Sequence, residues 1–535
     1  MTNDTIADTI KLTAQLLELH NDNPFKVKSL LNASFKIDKL DKELSTLAAA
    51  EIETLDGIGK SVASKVQELL TSGTTKELQS LIEKTPSGVI DMLSIKGIGP
   101  KKVQSLWKEL EIESIGELLY ACNENRLVDL KGFGAKTQEL VRKGIEFKFA
   151  SAGKFHYAAV EETALRLVDF LKQKLNTQFV SLTGSLRRKC EVIEQIEILI
   201  AVSETPDISD FDNANQIPVI FILCEEKNFY TQLFITTGTD EYIQKSGINF
   251  NDNFASEEEI YSKNKLQFIV PELREGYNEI DLARENKIPT LIEVTDLKGI
   301  LHNHSKYSDG NNTLEEMAKY AKQLGYEYLG ICDHSQSAFY ASGMKEDEII
   351  AQHKEIEKLN VELAPFKIFK GIESDILNDG SLDYPEHVLK TFDFIVASVH
   401  SNLKMDKEKA TARLLKAIEN PYTTILGHPT GRLLLSREGY PIDHKKVIDA
   451  CAENNVVMEL NAHPYRLDID WRWIQYCLEK GVKISINPDA HKTTGYHDMY
   501  YGVCVARKGM LTKQMCFNSL TQSEIESYFS QRKNK

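Results

Sequence analysis

The chain has 535 residues, too many for one ordinary domain, and its composition is that of a globular protein. With 64 Lys and Arg against 79 Asp and Glu, its formal net charge of -15 excludes a protein that coats nucleic acid through bulk electrostatics. No apolar run reaches membrane-spanning length, no secretory signal opens the sequence, and the eight Cys form no CxxC pair, so we expect a cytoplasmic protein with no membrane contact.

The first 150 residues carry one pattern three times, at 55–66, 95–106 and 130–141. Each copy has Gly, an apolar residue and Gly, with a Lys soon after and a helical pattern following, as in LDGIGKSVASKV. Glycine permits a tight turn with positive φ and exposes amides at a helix start, where a phosphate binds without sequence readout. This resembles the helix-hairpin-helix motif, and it predicts DNA-backbone binding by Gly57, Gly59, Lys60, Gly97, Gly99, Lys101, Gly132, Gly134 and Lys136, against the alternative of purely structural turns.

The segment 179–204 reads as a strand, a Gly-Ser turn, a short helix and a second strand. It resembles the phosphate-binding entry of nucleotidyltransferases. The residues that carry this resemblance are Gly184, Ser185, Arg187, Arg188 and Glu191.

From about residue 298, short apolar runs alternate with helical stretches, which predicts a parallel α/β barrel. Nine metal-type ligands follow these runs: His302, His304, Asp309, His334, Glu373, His400, His428, Asp489 and His491. Ligands at the ends of parallel strands converge on one face of a barrel. Imidazole with carboxylate suits zinc, manganese or iron, and nine ligands imply two or three divalent ions. Such clusters suit phosphoester hydrolysis, because they activate water and neutralise charged oxygens. A lone His at a strand end is usually structural, but nine ligands in ordered motifs favour a metal centre.

The order of these parts resembles bacterial family X DNA polymerases with a C-terminal PHP domain. Further matches are FIVPELREGYNEIDLA at 268–283, TDLKGILHNHSKYSDG and NAHPYRLDID. The resemblance implies a multidomain protein: an α-helical helix-hairpin-helix region, an α+β nucleotidyltransferase-like palm and thumb, and a PHP distorted (β/α)7 barrel. The implied bounds are 1–85 for the N-terminal helical domain, 86–150 for fingers-like hairpins, 151–235 for the palm, 236–285 for the thumb, 286–297 for a linker and 298–535 for the PHP domain.

The palm departs from the family pattern at its catalytic carboxylates. Two family Asp positions hold Gln195 and Glu197, and the third aligns with Ile220. Two-metal phosphoryl transfer needs carboxylates that bridge both ions, and Glu197 alone cannot provide them. We therefore expect a palm that has lost polymerase activity, with Gly184, Ser185, Arg187, Arg188 and Glu197 as a relic nucleotide site.

The resemblance also assigns roles at the two ends of the chain. Lys65 aligns with the lyase Lys of the family, for which the alternative is a solvated helix residue. In the barrel it implies three metal sites: His302, His304, Glu373 and Asp489; Glu373, His400 and His428, with Glu373 bridging; and Asp309, His334 and His491. Arg432 and Arg466 are candidates for gripping phosphate beside Glu373, with internal salt bridges as the alternative of equal weight.

We expect a metal-dependent DNA phosphoesterase, a 3′–5′ exonuclease of DNA repair that acts as a monomer on gapped, nicked or 3′-ended DNA. Three alternatives remain: an active gap-filling polymerase, a non-catalytic DNA-end scaffold, and a small-molecule phosphatase of the histidinol-phosphate type.

Overall fold

The computed structural model describes residues 1–533 except 39, 41, 56, 96, 129, 152, 214–216 and 251–252. The chain forms two compact units, Met1–Glu146 and Phe147–Lys535. Within the described residues, no helix combines the length and apolarity that crossing a membrane requires.

The first unit is helical. Its helices are α1 (Asn3–Leu19), α2 (Pro24–Ile37), α3 (Ala49–Ile52), α4 (Lys60–Ser72), α5 (Lys76–Glu83), α6 (Ser87–Met92), α7 (Pro100–Glu109), α8 (Ile115–Asn123) and the start of α9 (Ala135–Ser151). Gly59 and Gly99 are the N-caps of α4 and α7, and Gly134 directly precedes α9. The three hairpin patterns thus form turns that lead into helices, as the sequence predicts.

The second unit begins with a small α+β region. Its elements are β1 (Phe155–His156), α10 (Tyr157–Lys174), β2 (Val180–Leu182), α11 (Gly184–Arg187), β3 (Val192–Ile193), β4 (Ile196–Ile200) and β5 (Val219–Leu223), followed by α12 (Phe229–Thr237), α13 (Asp240–Ser246), α14 (Glu257–Lys263) and α15 (Glu279–Arg284). The sheet order is β2-β4-β5, antiparallel in the first pair and parallel in the second.

A seven-stranded parallel barrel completes the second unit. Its elements are β6 (Gly299–Ile300), α16 (Leu314–Gln323), β7 (Tyr328–Ile331), α17 (Glu346–Glu362), β8 (Lys367–Asp375), α18 (Glu386–Leu389), β9 (Phe394–Ser398), α19 (Lys407–Ile418), β10 (Ile425–Leu426), α20 (His444–Asn454), β11 (Val457–Asn461), α21 (Ile474–Glu479), β12 (Ile484–Asn487), α22 (Met499–Lys508) and α23 (Gln522–Lys533). The strands pair in sequence order, and a bridge between Asn303 and Ala490 brings the two edges together. The predicted (β/α)7 barrel is confirmed.

Aromatic side chains fill the barrel below the strand ends. The Phe394 ring occupies the space that side chains at Gly330 and Gly371 would need, since a Cβ there would lie 2.4 and 2.5 Å from its Cζ. Phe529 of α23 stacks on Phe394 with ring centroids 5.0 Å apart. This apolar floor leaves the carboxyl ends of the strands as the polar face.

Candidate metal centre

The nine predicted ligands meet at the carboxyl ends of the barrel strands, around the buried carboxylate of Glu373 on β8. His302, His400 and His428 place their Nε2 atoms 3.3, 3.1 and 3.0 Å from Glu373 Oε1. His334 Nδ1 lies 2.9 Å from Glu373 Oε2. One carboxylate therefore faces imidazoles from four different strand ends.

Two aspartates extend this cluster. Asp489, after β12, has Oδ1 3.0 Å from His304 Nε2 and 3.6 Å from His302 Nε2. Asp309, in the loop after β6, has Oδ1 3.1 Å from His491 Nε2 and 3.6 Å from His334 Nε2. Residues nearly 190 positions apart thus share one site because β6 and β12 adjoin in the barrel.

Three groups of side chains have ligand atoms close enough to hold a metal ion. They are His302, His304 and Asp489; His334, Glu373 and His400; and His304, Asp309, His334 and His491. The first and third correspond closely to sets that the family resemblance implies. In the second, His334 stands where the sequence suggested His428, although the His428 ring also contacts Glu373.

Further carboxylates orient the ligand rings, and the sequence did not single them out. His302 donates from Nδ1 to Glu459 on β11 at 2.7 Å, and His400 donates from Nδ1 to Asp375 at 2.6 Å. Each contact fixes the tautomer that presents Nε2 to Glu373, the arrangement that metal-binding histidines usually have. The signal in the sequence for Glu459 was a carboxylate inside the otherwise apolar run VVMEL at 456–460.

Asp333 holds the loop that carries Asp309. Its carboxylate accepts from the backbone N–H and hydroxyl of Ser305 at 2.8 and 2.7 Å, and from those of Ser308 at 3.1 and 2.6 Å. Gln352 adds a fifth donor at 2.6 Å. Burial raises the pKa of Asp333 to about 6, although the Ser308 and Ser305 donors favour its ionised form. The feature of the sequence that could have pointed to Asp333 is its position directly before the candidate ligand His334.

The chemistry of the centre suits cations. Burial alone would raise the pKa of Glu373, but His400, His302 and His334 hold it well below its ordinary value. Burial and the neighbouring His491 lower the pKa of His304 to about 3, so its ring is the neutral form that binds metals. Among the described residues, none completes a hydrogen bond of regular geometry to the buried atoms His302 Nε2 and Glu373 Oε2, although His334 Nδ1 lies 2.9 Å from the latter. These donors therefore fit divalent metal ions.

The two candidate phosphate-binding arginines have different surroundings. Arg432 donates from Nε to Arg466 O at 3.0 Å and from Nη1 to Asp470 at 2.6 Å, so its guanidinium contacts the 466–470 loop. Arg466 has Nε 3.9 Å from Asp489 Oδ2, next to the first metal group. The contacts of Arg432 favour the salt-bridge alternative. Arg466 lies next to Asp489, a member of the first candidate ligand group, and remains a candidate for binding phosphate.

The palm-like site contains one carboxylate at the three positions where the family resemblance expects Asp. Glu197 on β4 pairs in register with Ile220 on β5, and Gln195 donates to Glu197 at 3.4 Å. The Glu197 carboxylate packs on the Gly-Ser turn, since a Cβ on Gly184 would lie 1.7 Å from its Oε2. Ser185 lies beside this glycine in α11.

Both palm arginines are paired with glutamates from the thumb-like region. Arg187 donates to Glu257 Oε2 at 2.5 Å, and Arg188 donates from Nε to Glu275 Oε1 at 3.2 Å. Their charges are therefore largely balanced within the protein.

The hairpin glycines of the first unit have the predicted conformation. Gly57, Gly97 and Gly132 have φ of +84°, +101° and +88°. Apart from the neighbouring residues in the chain, no atom of the described residues lies within 4 Å of a Cβ built on Gly97 or Gly132, so there is space beside these two glycines. Lys60, Lys101 and Lys136, each just after a turn, are exposed.

The candidate lyase residue Lys65 lies on α4 and is mostly buried. Its ammonium pairs with Glu77, which also pairs with Lys26. Burial raises the pKa of Glu77, but the contacts with Lys26 and Lys65 outweigh it and lower the pKa. Lys65 is thus held as one partner of a three-residue ion cluster.

Comparisons with known proteins agree with this architecture. A helix-hairpin-helix domain model matches residues 1–75, a SAM-like helix-hairpin-helix tandem matches 89–146, and the PHP domain model matches 301–463. The DNA polymerase/3′-5′ exonuclease PolX of Bacillus subtilis (strain 168) is 32% identical over 560 residues, covering 97% of this chain and 98% of that protein. A probable phosphatase of Thermoanaerobacter sp. (strain X514) is 27% identical over 246 residues, covering 44% of this chain and 95% of that protein.

A more distant likeness is a solved histidinol phosphate phosphatase from Lactococcus lactis subsp. lactis Il1403, complexed with zinc, L-histidinol and phosphate. It aligns with 15% identity and a TM-score of 0.32, covering 40% of this chain and 93% of that chain.

The barrel and its ligand-rich face define a metal-dependent phosphoesterase with a PHP domain. The whole chain belongs to the family of bacterial PolX proteins, because the identity extends over nearly its full length.

Proposed function

We propose that this protein is a 3′–5′ DNA exonuclease of DNA repair, that its PHP centre performs the hydrolysis, and that its palm does not polymerise. The observation that carries the proposal is the contact of four imidazoles with the buried Glu373 carboxylate. The relative from Bacillus subtilis, which is named as a polymerase and 3′-5′ exonuclease, supports DNA as the substrate.

Each part of the centre has a role in the proposed reaction. The nine ligands would hold two or three divalent ions of manganese, zinc or iron, which activate water and neutralise charge on phosphate oxygens. Glu373 would hold these ions together with the imidazoles around it, and Glu459 and Asp375 keep His302 and His400 facing it. Arg466, at the edge of the first group, would bind the phosphate.

The hairpins would deliver the DNA. Turns with positive φ at Gly57, Gly97 and Gly132, each followed by an exposed Lys, suit amide contacts to phosphates without sequence readout, and those at Gly97 and Gly132 have open space beside the glycine. We expect gapped, nicked or 3′-ended DNA as the substrate. We also expect the protein to act as a monomer in the cytoplasm.

Polymerisation is the second candidate, since the family name includes it. Glu197 is one carboxylate facing Ile220 and Gln195, which leaves too few ligands for two metal ions. We therefore propose that the palm positions DNA and supports the barrel.

One experiment separates these activities. The purified protein is incubated with a gapped, end-labelled duplex, Mn²⁺ and dNTPs, and the labelled strand is sized. We expect shortening from the 3′ end, lost in His302→Ala with DNA affinity retained, and unaffected by Glu197→Gln. Strand extension that Glu197→Gln abolishes would overturn the inactive palm, and unchanged shortening by His302→Ala would overturn the assignment of the centre.

A further inference from the structure

The first strand of the palm contacts two loops of the barrel. His156 of β1 is 5% exposed, and its Nε2 forms a hydrogen bond of 3.1 Å with Leu434 O. The His156 ring also packs on the Tyr465 ring, with centroids 4.2 Å apart. Leu434 lies in the loop after β10 and Tyr465 in the loop after β11, so one palm side chain touches two loops at the carboxyl ends of the barrel strands.

His156 acts there as a neutral hydrogen-bond donor. A backbone carbonyl only accepts, so the Nε2 atom carries the proton. Burial lowers the pKa of His156 to about 4, although the hydrogen bond with Leu434 O favours the charged ring. The ring therefore holds the carbonyl without adding a charge.

The palm holds the same barrel segment at a second point. Strand β1 pairs with β3, and the N–H of Tyr157 donates to Glu191 O at 3.0 Å. The Glu191 carboxylate faces Arg432, with Oε1 3.9 Å from Nη2. The segment 432–434 is thus contacted by the palm at both of its ends, through Glu191 at the first residue and through His156 at the last.

The segment 432–434 in turn holds the backbone around Arg466. Three consecutive carbonyls accept hydrogen bonds from it: Tyr465 O from Leu434 N–H at 2.7 Å, Arg466 O from Arg432 Nε at 3.0 Å, and Leu467 O from Arg432 Nη2. Arg466 is 6% exposed, and its Nε lies 3.9 Å from Oδ2 of Asp489, a member of the first candidate ligand group. A shift of the segment would therefore move the guanidinium that is assigned to the phosphate.

We propose that His156 is a positioning residue of the phosphoesterase centre, which fixes the Leu434 carbonyl and thereby holds Arg466 at the scissile phosphate. This inference rests on the proposed function, and it gives the palm a part in hydrolysis that requires no contact with DNA. A misplacement of about 1 Å far from the chemistry can lower a rate on the order of 100-fold, so one such hydrogen bond has a measurable effect.

The test uses a phosphodiester that carries no DNA strand. Wild type, His156→Leu and His156→Gln are compared on the p-nitrophenyl ester of thymidine 5′-monophosphate with Mn²⁺. Leucine has a similar volume but no donor, whereas the glutamine amide can place its Nε2 near that of the imidazole. We expect His156→Leu to lose roughly 10- to 100-fold in kcat/KM and His156→Gln to lose less than about threefold. A palm residue that acted only by binding DNA would not affect this substrate.

A double-mutant cycle tests whether His156 acts through Arg466. Arg466→Met should by itself lower kcat/KM, and His156→Leu should cause no further loss in that background. Additive losses would show that His156 affects the centre by another route and would overturn the proposal.

Metal content and the thermal midpoint are measured for every variant. His353→Leu is the matched control, since His353 of α17 is half-buried against Phe392, and it should match the wild type. If His156→Leu does not fold, His156→Asn replaces it, because its amide is one methylene too short to reach Leu434 O.

The outcomes separate this inference from the proposed function. Equal kcat/KM for His156→Gln and the variant without the donor would overturn the positioning role alone. Dependence on His156 with the small ester, in a protein that does not degrade DNA, would support the positioning role and overturn the exonuclease. Absence of metal-dependent cleavage of both substrates by the wild type would overturn the two together.

Discussion

At the scale of single residues, the candidate metal centre is supported by a buried carboxylate outside the three candidate ligand groups. Asp333 gathers five donors and thereby fixes the loop that carries Asp309. An asparagine there keeps the size but replaces an accepting oxygen with a donor, which opposes the Ser305 and Ser308 donors.

Asp333→Asn should therefore displace Asp309 and weaken the third metal group. We expect about a 10- to 100-fold loss of metal affinity or activity, the usual effect of changing a residue that orients ligands. Metal titration with activity as a second readout measures it. The matched control is Asp379→Asn, since Asp379 also accepts from the backbone and hydroxyl of a serine, Ser381, but is exposed. If both variants bind metal like the wild type, Asp333 does not organise the site.

The sequence pointed to the candidate ligands more directly than to the residues that orient them. His302, His304 and His334 lie in short motifs at strand ends, where local spacing and barrel geometry together predict convergence. Glu459 is 157 residues from His302, and only the closed barrel brings them within 2.7 Å. The hydrogen-bond partners of Arg432 could not be predicted from the sequence either. A guanidinium near a site can bind the substrate or other parts of the protein, and only the tertiary contacts distinguish the two.

At the scale of elements, the parallel barrel and the hairpins were predictable because both have periodic signatures. Apolar runs that alternate with helical stretches predict parallel strands, and three GxG repeats predict helix-hairpin-helix turns. Which side chains the short helix Phe339–Ala341 exposes was not predictable, because this depends on which neighbours are buried beneath it.

The second hairpin gives a prediction at this scale. Gly97→Val with Gly99→Val should distort the turn, because φ of +101° at Gly97 strongly disfavours a β-branched residue. DNA affinity should fall several-fold, whereas hydrolysis of a small chromogenic phosphodiester at the barrel should persist. Fluorescence anisotropy with a gapped duplex measures the affinity.

Gly73→Val is the matched control, since Gly73 has φ of +76° at the end of α4 and also has open space around it. It introduces a β-branched residue at a positive φ without belonging to one of the three hairpin turns. An equal loss of DNA affinity in both variants would mean that strain in the first unit, and not the hairpin amides, causes the effect.

At the scale of the whole molecule, the second unit joins the palm, the thumb-like region and the barrel through a buried ammonium. Lys508 of α22 is 2% exposed, and its Nζ donates to Arg188 O at 2.9 Å, to Glu272 O at 3.2 Å and to Glu275 at 2.5 Å. Burial tends to raise the pKa of Glu275, but Lys508 and Arg188 hold it below its ordinary value. If the palm does not polymerise, as we propose, these contacts are a reason for it to be retained as a structural partner of the barrel.

Lys508→Met tests this dependence. Methionine fills most of the volume but leaves the Arg188 and Glu272 carbonyls and the Glu275 carboxylate without their shared donor, which should cost about 3 kcal/mol of stability. We expect the thermal midpoint of the second unit to fall by several degrees, measured by calorimetry in full-length protein. The control Lys480→Met removes an exposed lysine, paired with Asp449 at 2.8 Å, and should leave the midpoint unchanged because water screens such pairs. An unchanged midpoint in Lys508→Met would show that the barrel does not depend on the palm for its stability, and that the palm must be retained for another reason, such as positioning DNA.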